Sequence, residues 1–178
     1  MENSGLRLLR NLTAAVAIAF GIAAPTAAKA DLITLSIPGI KGDVIAAGQK
    51  DTIEVLSLSS DVFVPVSGGG AGGRAQSVPL VIHKRIDRAS PALFLALVEG
   101  KRFQNAVITF LQTTGETLTK YFTITLTNVI ISNFMTDATE TDVRAGPEQV
   151  NLAYTRMQLK DEMTGTTACF DFSASSSC

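Results

Sequence analysis

Apolar and polar residues alternate along most of this chain with the two-residue period of a half-buried strand. Residues 32–37 form a short apolar run that Pro38-Gly39 ends. Between residues 52 and 66, Ile53 and Val55 flank Glu54, and then Leu56, Leu58, Val62 and Val64 take the other parity. Such a phase change predicts a bend or bulge inside a long strand. Residues 77–86 resume the alternation, with Val78, Leu80, Ile82 and Ile86 on one side. Residues 103–112 and 118–132 read as a hairpin about Gly115-Glu116. In its second strand Phe122, Ile124, Leu126 and Ile130 share one face, and Thr119, Tyr121, Thr123, Thr125 and Thr127 the other, a row suited to a half-exposed pleat. After a polar loop at 133–146, Val150, Leu152 and Tyr154 alternate, and Met157 and Leu159 then switch parity. A final strand at 166–172 follows a turn at Gly165, and residues 173–177 are expected to be loose.

Two segments break the strand pattern. Ser90-Pro91 opens a short helix over about 90–99, with Ser90 as N-cap, Pro91 at the first helical position and Gly100 as the stop. Leu93, Phe94 and Leu97 are its expected buried stripe. Residues 67–73 (SGGGAGG) hold five glycines in seven positions, too costly in entropy to order as a packed element. About seven strands and one short helix, joined by hairpin-length connections, predict a mainly β, single-domain antiparallel β-barrel of two packed sheets over residues 31–178.

The mean hydropathy of +0.28 hints at a membrane until its source is located. Arg7 and Arg10 precede an uncharged stretch at 12–24, followed by Pro25 and the small-residue site Ala28-Lys29-Ala30. This is the three-part pattern of a secretory signal peptide over residues 1–30, with cleavage expected after Ala30 and Ala28 as the other small residue of the site. A membrane anchor is the competing interpretation, but the full uncharged stretch, residues 11–28, contains Asn11, two Thr, Gly21 and Pro25. Removing these residues takes away three cations and one anion, leaving 12 basic and 15 acidic residues, a net charge of −3 against −1 for the whole chain. Much of the apolar excess leaves with them. The chain is then expected to be secreted or periplasmic, with no membrane association. Its charge excludes a nucleic-acid binder driven by phosphate contacts.

Candidate chemistry is sparse. The glycine run ends Gly73-Arg74-Ala75 and leads into a strand, unlike the Gly-Lys-Ser/Thr of a phosphate loop opening a helix. His83 is the sole histidine, stands without a Gly-x-Ser-x-Gly elbow and reads as a solvated strand end beside Lys84 and Arg85. Lys84, Arg85 and Arg88 read as a solvated basic face, and Asp161-Glu162 as surface beside a turn. Asp137, Glu140 and Asp142 lack the register of a calcium hand. Cys169 and Cys178 are either a disulfide, which an oxidising compartment would preserve, or one packed strand cysteine and one frayed terminal one. No catalytic residue, cofactor site or metal site is expected.

The order of several segments resembles the hemolysin-coregulated protein (Hcp) family of type VI secretion. These are Ile40-Lys41-Gly42-Asp43, Ile53-Glu54-Val55-Leu56, the glycine run, Phe103-Gln104-Asn105-Ala106, residues 121–132 and Glu148-Gln149-Val150-Asn151-Leu152-Ala153-Tyr154. The most specific is His83-Lys84-Arg85-Ile86-Asp87-Arg88-Ala89-Ser90-Pro91-Ala92-Leu93, where the family carries Lys-x-x-Asp-x-x-Ser/Thr-Pro-x-Leu. The resemblance implies a non-enzymatic tube protein: a small β-barrel with a helix alongside, six copies forming a ring, rings stacking into a tube, and a lumen that holds effector proteins. Its implied partners are further copies of the chain, effectors and type VI spike components. It implies no catalytic residues. It places ring contacts at the glycine arm, here Gly68, Gly69, Gly70, Gly72, Gly73 and Arg74. Tube proteins of the family normally lack a signal peptide, so a secreted monomeric binding module that has lost assembly is the competing expectation.

Overall fold

The longest elements are two adjacent strands, β7 (Arg102–Thr114) and β8 (Thr117–Thr136), at the centre of the main sheet. They belong to a computed structural model that describes residues 31–66, 72–115, 117–137 and 146–178. The expected signal peptide, with Ala28 and Ala30, and Gly68, Gly69 and Gly70 of the arm lie outside the described residues, as do Glu140 and Asp142.

The other strands are β1 (Leu32–Ser36), β2 (Ile53–Val55), β3 (Ser57–Ser59), β4 (Val62–Phe63), β5 (Gln76–Ser77) and β6 (Leu80–Arg85). After the helix α1 (Ser90–Val98) and the β7–β8 pair come β9 (Pro147–Ala153), β10 (Arg156–Asp161), β11 (Thr167–Asp171) and β12 (Ser176–Ser177). Every pairing is antiparallel. One sheet runs β12-β11-β10-β8-β7-β1-β2, and β8 also pairs β9, which pairs β6, which pairs β3. The phase change foreseen in residues 52–66 is the passage from β2, hydrogen-bonded to β1, to β3, hydrogen-bonded to β6. Between them Leu56 N–H donates to the His83 carbonyl at 2.8 Å. β4 and β5 form a separate two-stranded ribbon on either side of the glycine run.

Three neighbouring strands change their buried face at one level. Ala106 and Ile108 are buried in β7, but so is Phe103 on the other parity. In β8 the buried positions pass from Ile124 and Leu126 to Val129 and Ile131, and from β9 to β10 they pass from Tyr154 to Met157. The register aligns these changes, with Phe103 opposite Val129, Ala106 opposite Leu126, and Leu126 opposite Met157. At the middle of the change Asn128 has φ +57°, which breaks the alternation of the pleat. This corrects the sequence expectation for Ile130: the face it was assigned with Ile124 and Leu126 turns away at Asn128, and Val129 and Ile131 are buried instead.

The helix also differs from expectation in detail. It packs Leu93 and Ala96 into the core, with Leu97 partly buried, while Phe94 is exposed and meets Phe134 edge-on at 6.2 Å. Its N-cap is Ala89, not Ser90, because the Ser90 hydroxyl is committed to a buried cluster. The tail is not loose, since Ser176 and Ser177 pair with Asp171 and Phe170.

A β-branched residue at φ +57° costs roughly 1–2 kcal/mol. Asn128→Val should therefore lower the urea unfolding free energy by about that amount at unchanged m-value, and Asn128→Gly should stay within about 0.5 kcal/mol of wild type.

Candidate functional site

The residues of the quoted Lys-x-x-Asp-x-x-Ser-Pro segment converge on one buried ion cluster. Lys84 lies directly across the β6–β9 ladder from Glu148, so cross-strand geometry alone brings their side chains together. Both are essentially withdrawn from water, with side-chain exposures of 0% and 2%. Lys84 Nζ donates to Glu148 Oε2 at 2.5 Å, to the Arg85 carbonyl at 2.7 Å and to Ser90 Oγ at 3.0 Å, and lies 2.8 Å from Asp87 Oδ1. Ser90 Oγ donates to Glu148 Oε2 at 2.6 Å and accepts the Asp87 N–H at 3.1 Å. Asp87 Oδ1 in turn accepts the Ala89 N–H at 2.9 Å, closing the turn into α1. Lys84 thus ties the end of β6, the start of α1 and the start of β9 together.

The basic segment is therefore only in part a solvated face. Lys84 is buried, and Arg88 clamps the loop between β1 and β2. Arg88 Nε donates to the Gly42 carbonyl at 2.6 Å and lies 3.1 Å from Asp43 Oδ1, and Nη2 reaches Asp51 Oδ1 at 2.5 Å. The Arg88 hydrogen bond is the main cause holding the Asp51 carboxyl below its ordinary range. Gly42 is required there, since a Cβ would stand 2.5 Å from Ile53 Cα. Arg85, 3.8 Å from Glu54, and Arg88 both keep the exposure expected of them, and Lys84 alone of the three departs from it. His83 is half-buried within β6, opposite Ser57 and Gln149, instead of at a solvated strand end. Asp161 accepts the Met163 and Thr164 N–H groups in a turn, and Glu162 pairs with Lys160 and Thr123.

A second constellation joins the arm to the C-terminus. Of the expected arm residues, Gly73 donates its N–H to the Pro65 carbonyl at 2.7 Å, and Gly72 leaves no room for a Cβ beside Val64. Arg74 Nε donates to Ser175 Oγ at 2.7 Å across 101 residues of sequence. The structure joins Cys169 in β11 to Cys178, with Cα atoms 5.2 Å apart. The Asp171 carboxylate holds the intervening turn, accepting from Ser173 N–H and hydroxyl and from Ala174 N–H, and pairing with Arg156 at 3.0 Å. The Ser173 hydroxyl, then the Ala174 N–H and Arg156, hold its pKa far below the ordinary carboxylate range. Val62 of the ribbon faces Met157, Leu159, Cys169, Phe170 and Phe172 across a shallow apolar groove. Tyr154 is buried against Phe172, its ring 5.9 Å away, and burial of its hydroxyl, which has no hydrogen-bond partner among the described residues, raises its pKa.

Among the described residues no group of three or more His, Cys, Asp or Glu side chains comes together to hold a metal, and no helix is long and apolar enough to cross a membrane. The family profile described as "Type VI secretion system effector, Hcp" matches residues 34–160, a span that contains the whole Lys84 cluster. The chain belongs to the Hcp family. It is 28% identical over 140 residues to the "Major exported protein" of Pseudomonas aeruginosa, covering 74% of this chain and 81% of that one. Its fold is similar to the crystal structure of Hcp1 from Salmonella typhimurium, with a TM-score of 0.71, 26% identity, and 84% and 99% of the two chains covered. Hcp1 from E. coli EAEC 042 superposes with a TM-score of 0.69 over 80% of this chain and 98% of that one, at 22% identity, a likeness of fold. The Lys84 cluster explains why the Hcp-like segment is so specific. Its Lys84, Asp87 and Ser90 side chains are partners in one buried network, whereas Glu148, which completes the network, lies in a different quoted segment.

Two predictions follow from these contacts. Lys84→Met leaves Glu148 buried without its cation and should cost about 3–5 kcal/mol in chemical denaturation, whereas Lys84→Met with Glu148→Leu should recover a measurable part of that loss. Asp171 keeps its charge in the folded protein at pH values where the unfolded chain binds a proton, so stability rises with pH there. Its contribution should be complete above about pH 4 and fade as pH falls below that. Unfolding free energies of wild type and Asp171→Asn should differ by a constant amount near neutrality and converge on acidification.

Proposed function

We propose that the chain is an exported, non-enzymatic tube-type protein that self-associates head to tail into hexameric rings able to stack. Residues 1–30 then act as a signal peptide cleaved after Ala30, and residues 31–178 form a single β-barrel domain. The circuit of ladders β1-β7-β8-β9-β6-β3, returning through Leu56 to β2 and β1, supports the barrel. The lumen of such a ring is suited to holding effector proteins, and its open faces to stacking or to spike components.

The observation that carries the assembly reading is a pair of separate exposed apolar surfaces. One is the base of the glycine arm, with Val62, Val64 and Val66, beside β10 and β11. The other is the outer side of α1, with Phe94, Leu95 and Val98, at the Phe134 end of β8. A heterologous ring contact needs two different complementary surfaces on each subunit, and apolar patches of this kind mark interaction sites. The arm residues Gly68, Gly69, Gly70, Gly72, Gly73 and Arg74 belong to the first surface in this reading. A second reading, a monomeric secreted binding module, is favoured by the apolar groove between Val62 and Phe170, which offers a seat for a small apolar ligand.

Sedimentation of residues 31–178 decides between them. Rings should sediment near six times the monomer mass, and Val64→Asp or Leu95→Asp should shift the population to monomer while the subunit keeps its β-rich circular dichroism, its unfolding midpoint no longer depending on concentration. A monomer at every concentration, with a ligand retained through purification, would instead support the binding module.

A further inference from the structure

We infer that the Cys169–Cys178 disulfide is a redox latch that fixes the base of the glycine arm through Ser175 and Arg74. The latch goes beyond ring formation and does not depend on it. Its two halves lie far apart in sequence, yet two independent contacts bring them together. Arg74, immediately after the glycine pair, donates to Ser175 Oγ at 2.7 Å. Val62 of β4 and Cys169 of β11 line the same apolar groove.

The latch follows from how little else holds the last four residues. Asp171 secures the turn only as far as Ala174. Beyond it, Ser175 adopts φ +52°, an unfavourable conformation for a residue other than glycine or asparagine. The strand β12 is two residues long, pairs only with Phe170 and Asp171, and is exposed. The Cys178 N–H to Cys169 carbonyl bond, at 3.3 Å, is long. A two-residue strand with these bonds does not order itself in water. The covalent link across it is what keeps Ser175 under the Arg74 guanidinium. On the arm side, Arg74 directly follows Gly73, whose N–H bonds the Pro65 carbonyl, so holding Arg74 holds the neck of the arm against β4.

Closing the latch removes one proton and one electron from each thiol, joins Sγ to Sγ, and passes the electron pair and the protons to a disulfide acceptor, which leaves as a dithiol. A dithiol reductant runs the same exchange backwards, emerging as a disulfide while Cys169 and Cys178 regain their protons. In the exported protein the latch is shut; in a reducing compartment it is open and the arm neck is released.

Limited trypsin digestion of the full folded chain tests this, since Arg74 is itself a cleavage site. Cleavage after Arg74 should be about 2- to 10-fold faster with dithiothreitol than in the oxidised protein, the range set by one net hydrogen bond. Ser175→Ala should give the same acceleration with the disulfide intact, and cleavage after Lys101, beyond the far end of α1, should keep its rate in all samples. Equal rates after Arg74 in the two redox states would overturn the latch. So would an acceleration on reduction that Ser175→Ala fails to reproduce, or that Lys101 shares, because either would show general loosening in place of a specific connection.

Discussion

The placement of the helix against the sheet depends on one buried cation. Lys84 sits where β6 ends, and its ammonium group is surrounded by a carboxylate from β9, a hydroxyl from α1 and the acidic side chain of the connecting turn. A lysine withdrawn from water is costly unless its donors are all satisfied. Here Glu148, Ser90, Asp87 and the Arg85 carbonyl satisfy them together, and only when three elements stand in one arrangement. A buried network of this kind is weak evidence for stability, because an apolar replacement of similar volume can do as well. What it supplies is geometry: it sets where α1 starts, and therefore which of its residues face the core.

That geometry shapes the outer surface. With Ser90 drawn inward, Leu93 and Ala96 face the sheet and Phe94, Leu95 and Val98 face outward. The second apolar surface has a different origin. At Asn128 three strands exchange their buried and exposed faces together, and β10 and β11 carry Met157, Leu159 and Phe170 beyond that level to flank the arm's base. A chain of this family thus presents apolar residues at two places for two unrelated reasons, a helix start fixed by an ion cluster and a sheet turned by a left-handed residue. Around the arm, Tyr154, Phe172, Cys169 and Ser175 come from the far end of the chain, so the C-terminal segment buttresses the neck of a loop about a hundred residues earlier.

Much of the secondary structure was legible in the amino-acid sequence, because a half-buried strand writes its exposure into a two-residue period. Most strands, the short helix opened by Ser90-Pro91 and the phase change after Val55 could be read that way, but the end of β8 beyond residue 132 and β12 could not, and the Lys-x-x-Asp-x-x-Ser-Pro segment was enough to indicate the family. Periodicity carries no information about which strand lies opposite which. Lys84 therefore looked like one of three solvated cations, and its pairing with Glu148 depends on a ladder between residues 64 positions apart. The same blindness put Ile130 on the wrong face, since nothing in the letters around Asn128 announces φ +57°. It also left the tail loose, because Ser173–Ser175 has no pattern until Asp171 gathers its N–H groups and Arg74 meets Ser175. Local residue patterns determined the elements, and the quoted motifs carried the resemblance to the family. Long-range pairing alone decided which charges are buried, which apolar residues remain outside and what holds the arm, because those properties belong to contacts between segments and not to any segment by itself.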